Sequence, residues 1–255
     1  MRFAQTRKIA SACLALLTAT LLLAALAGCS SAETSSPSDS GSDNASAPVQ
    51  SEKSKELQGA EVGPNGYIDT ASGTYASGTW YAKVKVKGHD AFTIELDADA
   101  APVTVSNFCK LADNGFYDGL AFYRVVESFC LQGGSAGNTA ESGTDGLAPI
   151  VGEFPENGID NPLADDFEKG VVAMARTNDP NSATSTFFIT LGSDATVKQS
   201  LNGKYAAFGT IDKAGMRVVD EIVASCAGEA DASMGVIEDE SRMPVIESIE
   251  VSDTK

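Results

Sequence analysis

Hydrophobic and polar positions alternate most clearly between residues 80 and 96. From Trp80 to Lys87, Val84 and Val86 fall on one side, with Lys83, Lys85 and Lys87 on the other. Phe92, Ile94 and Leu96 repeat the pattern against Thr93 and Glu95, and Gly88-His89-Asp90 joins the two runs with turn chemistry. A period of two on either side of such a turn predicts a β-hairpin. At Pro102 the period changes. Val105, Phe108 and Leu111 or Ala112 recur at helical spacing, proline opens the run where its missing N–H costs nothing, and Gly115 stops it. The spacing predicts a helix over 102–114, and a second over 215–226 on the stripe Met216, Val219, Ile222 and Val223. Apolar runs at 121–126, 171–175, 186–191, 205–211 and 245–251 read as further short strands. Residues 133–170 hold Gly, Pro, Asn and Asp with little periodicity, and a loop of that length is commonly functional. Many strands with only two helices predict a mainly β domain, an antiparallel barrel or sandwich with helices at its ends.

The first 78 residues follow a different pattern. Arg2, Arg7 and Lys8 precede an uncharged Leu- and Ala-rich run from Ile9 to Ala27, which reads as a secretory signal over residues 1–28. It ends in Leu26-Ala27-Gly28-Cys29, which resembles the lipobox of bacterial lipoproteins. That resemblance implies cleavage before Cys29, a diacylglycerol thioether on its sulfur, and an anchor on the extracytoplasmic side of a bacterial cell membrane. Residues 30–48 contain eight serines, two prolines and no aliphatic or aromatic side chain larger than alanine. Such a segment buries too little apolar surface to offset chain entropy, so residues 29–78 are expected to be a spacer that partly packs on the domain, and residues 79–255 the folded domain.

Composition narrows the function. The chain of 255 residues carries 18 basic and 35 acidic side chains, a formal charge of −17. A phosphate-binding face is excluded on that balance, so no nucleic-acid partner is expected. One histidine, His89 in a turn, rules out a multi-histidine metal centre and a Ser-His-Asp or Cys-His constellation. Gly133-Gly134-Ser135-Ala136-Gly137 lacks the Lys-Ser/Thr of a phosphate loop, and Asp165-Asp166 and Glu238-Asp239-Glu240 lack an EF-hand pattern. No metal and no cofactor are expected. Cys109, Cys130 and Cys226 are expected to be free thiols.

Several motifs in order carry a resemblance. They are Ala101-Pro102-Val103-Thr104-Val105-Ser106-Asn107-Phe108, Gly115-Phe116-Tyr117-Asp118-Gly119, Phe122-Tyr123-Arg124-Val125-Val126 and Phe129-Cys130-Leu131-Gln132-Gly133-Gly134. Gly170 to Arg176, Ser185 to Ile189 and Leu201 to Gly209 follow. The series resembles the cyclophilins, a family of peptidyl-prolyl cis-trans isomerases (rotamases), over residues 80–251. The resemblance implies a closed eight-stranded antiparallel barrel capped by two α-helices. It also implies a catalyst that needs neither nucleophile nor cofactor.

The X–Pro amide has partial double-bond character and a rotational barrier of roughly 18–20 kcal/mol. Twisting localises the lone pair on the prolyl nitrogen, so a cation that hydrogen-bonds there stabilises the transition state over the planar ground state. The resemblance gives that role to Arg124, oriented by Gln132, and the walls of the proline pocket to Phe129, Phe188 and Leu201. Ala175 and Arg176 match the segment that binds substrate backbone. The departures are Tyr205 for a pocket histidine, Cys130 for a methionine, Arg176 for an asparagine, Thr186 for a glutamine that bonds substrate, and Tyr123 for a histidine beside the arginine. Ser200 falls where eukaryotic members carry a tryptophan used in cyclosporin binding, so weak cyclosporin binding is expected.

The sequence thus points to a monomeric, lipid-anchored isomerase acting on proline-containing segments of secreted or surface polypeptides. Thr186, Ser200 and Cys130 motivate a rival, a chaperone or interaction module that grips such segments without turnover. A solute-capturing surface lipoprotein rests on the lipobox alone.

Overall fold

The computed structural model describes residues 62–140 and 146–255. The signal segment 1–28, the lipidation residue Cys29 and the spacer as far as residue 61 lie outside the described residues. The predicted hairpin is β1 (Thr79–Val86) and β2 (Ala91–Asp97), paired antiparallel with Trp80 opposite Leu96 and Val84 opposite Phe92. Its apolar positions Ala82, Val84, Val86, Ile94 and Leu96 are fully buried. Burial of each larger side chain stabilises by about 1.5–3 kcal/mol, which fixes the hairpin's inward face.

The first helix, α1 (Pro102–Asp113), follows with proline in its first turn. Then come β3 (Phe122–Val126), β4 (Cys130–Gly133), β5 (Val171–Met174), β6 (Phe187–Thr190), α2 (Ala195–Leu201), β7 (Ala207–Ile211), α3 (Lys213–Ser225) and β8 (Ile246–Ser252). The eight strands form one curled antiparallel sheet in the order β3-β4-β6-β5-β7-β2-β1-β8. The core lies inside the curl, where Phe108 of α1 meets the rings of Tyr117, Phe187 and Phe208 at centroid distances of 5.2, 5.5 and 5.2 Å. Packing of α1 on β8 and β2, and of α3 on β2 and β7, covers the sheet.

Two expectations are corrected. The sheet is a half-barrel, not a closed one. Its edge strands β3 and β8 share no ladder and meet only through the bridge Ala121–Val245 and the backbone bonds around it. The physical reason is competition for the free edge of β3. Past Tyr123 that edge is taken by residues 235–237: Val125 N–H donates to Gly235 O (2.7 Å) and Ile237 N–H to Tyr123 O (2.8 Å). There are also three α-helices among the described residues, not two. The short α2 is capped by Asp194, whose carboxylate accepts from the N–H groups of Thr196 and Val197.

The aperiodic stretch 146–170 contains 3-10 turns at Pro155–Asn157 and Pro162–Ala164 and is pinned by a buried carboxylate. Helix α1 has no side-chain cap of its own at Ala101. Glu153 supplies one from 50 residues away, accepting from Val103 N (3.0 Å), Thr104 N (2.8 Å) and Thr104 Oγ1 (2.7 Å). A carboxylate suits a helix N-terminus, where unpaired N–H groups and the helix dipole both favour negative charge. Asn161, also fully buried, donates to Glu153 O and Ala207 O and so joins this loop to β7.

Residues 62–78, read from the sequence as spacer, lie against the domain. Ile68 pairs in parallel with Ile150, Tyr67, Ile68 and Tyr75 are half-buried, and Ala76 N–H donates to Ser106 Oγ of α1 (2.8 Å). Cys109, Cys130 and Cys226 are buried free thiols, as expected.

Candidate active site

Sheet register brings the first site residues together. Arg124 of β3 lies opposite Gln132 of β4, and Gln132 lies opposite Phe188 of β6. Directly opposed residues of antiparallel strands share a face, so a cation, an amide and an aromatic ring stand side by side across three strands. Phe129 enters from the tight turn before β4, where Ser128 adopts a left-handed conformation at φ 62°, and Cys130 opens β4 itself. Leu201 comes from the last turn of α2, and Ala175 from just past β5.

These residues surround one cavity of about 130 Å³, lined by Arg124, Phe129, Cys130, Gln132, Ala175, Arg176, Phe188, Leu201 and Tyr205. Nine of the ten candidates for catalysis or substrate binding meet there. Thr186 is not part of the wall; its carbonyl accepts from Ala175 N–H (2.9 Å). The floor is apolar, with Phe188 and Leu201 only 4% and 3% exposed. Phe188 is held edge-on by Tyr205 (5.5 Å) and stacked on Phe167 (6.4 Å), contacts that fix its ring plane.

Arg124 is anchored through two of its three nitrogens. Nη1 donates to Gln132 Oε1 (3.0 Å) and Cys130 Sγ (3.1 Å), and Nε donates to Met234 O (2.8 Å). Nη2 alone has no protein acceptor among the described residues. Gln132 is fixed in turn, its Nε2 donating to Tyr123 Oη at 2.5 Å. Tyr123 therefore fills the histidine position with an acceptor for the orienting amide. Burial pushes the Cys130 thiol up to about 11, partly offset by the Arg124 charge beside it. Burial likewise raises the Tyr123 phenol, against the opposing pull of Gln132 and Arg124. Both groups stay protonated at neutral pH, and the charge beside them is the Arg124 guanidinium.

Arg176 plays a different part. Its guanidinium donates to Lys204 O from Nε and Nη2 (3.0 and 2.8 Å) and lies over the rings of Phe154 and Tyr205, 5.1 and 4.8 Å from their centroids. Ala175 and Arg176 both border the cavity. Phe154 and the Met234 carbonyl were absent from the sequence reading. Phe154 follows Glu153 in an aperiodic loop, and a carbonyl contact carries no residue-type signal. Among the described residues no group of three His, Cys, Asp or Glu side chains is placed to hold a metal ion.

An anchored arginine over an apolar cavity, on this curled sheet, can now be set beside known proteins. The family model described as cyclophilin type peptidyl-prolyl cis-trans isomerase/CLD matches residues 81–250. A peptidyl-prolyl cis-trans isomerase of Acinetobacter baylyi is 41% identical over 131 residues, which cover 51% of this chain and 64% of that protein. One from Streptomyces antibioticus is 41% identical over 133 residues, covering 51% of this chain and 75% of the relative. In three dimensions a cyclophilin type isomerase of Cryptosporidium parvum superposes with a TM-score of 0.56 at 21% identity, covering 70% of this chain and all of that one. A second structure of that protein, obtained in the presence of the dipeptide Ala-Pro, gives 0.54 at 23% identity, covering 68% of this chain and 98% of that one. Sheet, cavity and the match over residues 81–250 lead to one conclusion: the chain belongs to the family of cyclophilin type peptidyl-prolyl cis-trans isomerases.

Proposed function

We propose that the protein catalyses cis-trans isomerisation of X–Pro bonds in polypeptides, with the proline ring in the cavity floored by Phe188 and Leu201. Phe129, Cys130 and Tyr205 complete the apolar wall, and the backbone at Ala175 and Arg176 receives the peptide as a neighbouring strand would. Arg124 donates to the prolyl nitrogen as the amide twists, and Gln132 holds its plane. One observation carries this reading: two guanidinium nitrogens are committed to the protein and the third is uncommitted at the rim of an apolar pocket. A preorganised donor of that kind needs no reorganisation when the lone pair localises. Thr186, outside the wall, contributes its carbonyl, which holds the Ala175 N–H at the cavity's edge.

The test is NMR exchange spectroscopy on a proline tetrapeptide with wild-type protein and Arg124→Ala. Cis–trans cross-peaks that grow with wild type and fall at least about tenfold with the variant support catalysis here. Peptide shifts without accelerated exchange would replace it with the chaperone reading.

Residues 1–28 are proposed as a signal segment, Cys29 as the lipid-bearing residue, residues 29–78 as a spacer whose last part packs on the domain, and the membrane's extracytoplasmic face as the location. The clients are then secreted or surface polypeptides, whose X–Pro isomerisation is slow enough to limit folding. Cells grown with a clickable palmitate analogue should label the wild-type chain and not Cys29→Ser; equal labelling would refute the anchor.

A further inference from the structure

The segment that keeps the half-barrel open is itself an ordered device. Asp231-Ala232-Ser233-Met234-Gly235 forms a tight turn around one carboxylate. Asp231 Oδ1 accepts from Ser233 N (2.8 Å), Ser233 Oγ (2.5 Å) and Met234 N (2.8 Å), and Oδ2 accepts from Val236 N (2.7 Å). The backbone closes the same turn, with Gly235 N–H donating to Asp231 O and Asp231 N–H to Val236 O. Gly235 has φ 76°, and a Cβ there would lie 2.4 Å from Val125 O, so only glycine lets the turn approach β3 this closely.

The turn is fastened to β3 on both sides of Arg124. Val125 N–H donates to Gly235 O, Ile237 N–H donates to Tyr123 O, and Arg124 bridges Val236. Met234 O is thereby held at a fixed place, and it is the acceptor for Arg124 Nε (2.8 Å). Gln132 orients the guanidinium from one side; this turn orients it from the other.

We infer that Asp231 is a positioning residue for Arg124, acting through the turn it organises and the Met234 carbonyl. The inference rests on Arg124 acting at the prolyl bond. Asp231 does not line the cavity. It sets the direction of the Nε–H bond and so the plane of the guanidinium. The four donors, first among them the Ser233 hydroxyl, hold the Asp231 carboxyl far below the usual carboxylate range, so it stays ionised at any pH where the protein is assayed.

A capping residue that only stabilised its loop would lower the melting temperature and leave the chemistry of the remaining folded molecules alone. Positioning predicts a different split. In the full-length protein, Asp231→Ala should lower the exchange rate at saturating tetrapeptide by about tenfold and leave the peptide dissociation constant within about twofold, because misdirection of a held group costs rate more than affinity. Asp231→Asn keeps an oxygen for Ser233 and Met234 and should recover to within about threefold of wild type. In an Arg124→Lys background, which lacks the planar fork, Asp231→Ala should cost less than about twofold.

Equal loss from Asp231→Ala in the two backgrounds would overturn the inference, as would a loss of peptide affinity with the saturated rate unchanged. If Asp231→Ala does not fold, Ser233→Ala, which removes one donor from Oδ1, carries the same comparison. An Arg124→Ala variant with wild-type exchange would remove the isomerase reading and this inference with it. A normal Arg124→Ala loss beside a silent Asp231→Ala would remove the inference alone.

Discussion

Replacing Glu153 by alanine should be among the most destabilising changes away from the cavity. The side chain is fully buried and accepts three hydrogen bonds, two from the first backbone N–H groups of α1 and one from the Thr104 hydroxyl. Alanine leaves all three donors without their acceptor, at about 1–3 kcal/mol for each buried group left unpaired. Two effects offset part of this. The Thr104 hydroxyl can rotate to another acceptor, and removing a buried carboxylate relieves the desolvation that raises its pKa above the ordinary value near 4.5. A net loss of about 3 kcal/mol follows, equivalent to a fall in melting temperature of roughly 6–12 °C for a domain of this size. Glu153→Gln keeps one acceptor and should cost about half as much. The difference also depends on pH. Because burial raises the folded-state pKa, the folded protein binds this proton more tightly than the unfolded chain does. Wild-type stability relative to Glu153→Gln is therefore greatest below about pH 4.5 and declines as pH rises through the folded-state value. Urea unfolding followed by circular dichroism at pH 4 and pH 7 measures both quantities. A loss below about 1 kcal/mol for Glu153→Ala, or a Gln difference that grows with pH, would refute the reasoning.

Other expectations can be checked as directly. Gln132→Ala frees Arg124 Nη1 from one of its two acceptors and should lower isomerisation by about tenfold at unchanged melting temperature, read by exchange spectroscopy. With its thiol at about 11, Cys130 is ionised in about one molecule in ten thousand at pH 7, so mass spectrometry after brief iodoacetamide treatment of the native protein should find it unmodified. Gly192→Ala would place a Cβ 2.1 Å from Ser128 O at the turn that aims Phe129; it should unfold at lower denaturant and bind tetrapeptide more weakly, by titration. Ser200 is exposed, and its hydroxyl donates to Thr196 O, so cyclosporin titration should give an affinity weaker than about micromolar.

Legibility in the sequence tracked how local each cause was. The β1–β2 hairpin and helices α1 and α3 were readable, since one buried face repeats over two or more turns or pleats. Strand β4 was not, because Cys130-Leu131-Gln132-Gly133 is four residues with no clean alternation, and it earns strand geometry from partners on both sides. Helix α2 has only Val197 and Leu201 buried in seven residues, too few to show a period. The motif resemblance brought Arg124, Gln132, Phe129 and Phe188 forward together, and the register explains why they meet. The cap from Glu153 and the acceptor at Met234 O span 50 and 110 positions along the chain, and no window of sequence contains both partners. The open sheet was hidden for the same reason: whether residues 235–237 or β8 takes the edge of β3 is settled by tertiary competition.

The attachment of residues 62–78 also has a mechanical meaning. The domain's first strand, β1, sits between β2 and β8, and losing it would split the sheet. A pull on the N-terminal chain does not reach β1 directly. It arrives first at Ile68, whose N–H donates to Pro149 O and whose carbonyl accepts from Val151 N–H. Next it meets the bond from Ala76 to Ser106 and the one from Gly78 N–H to Asp99. These contacts act as a strain relief, like the clamp where a cable enters a plug. Tugging is spent on a sacrificial surface segment, and the register that aligns Arg124, Gln132 and Phe188 is spared the load.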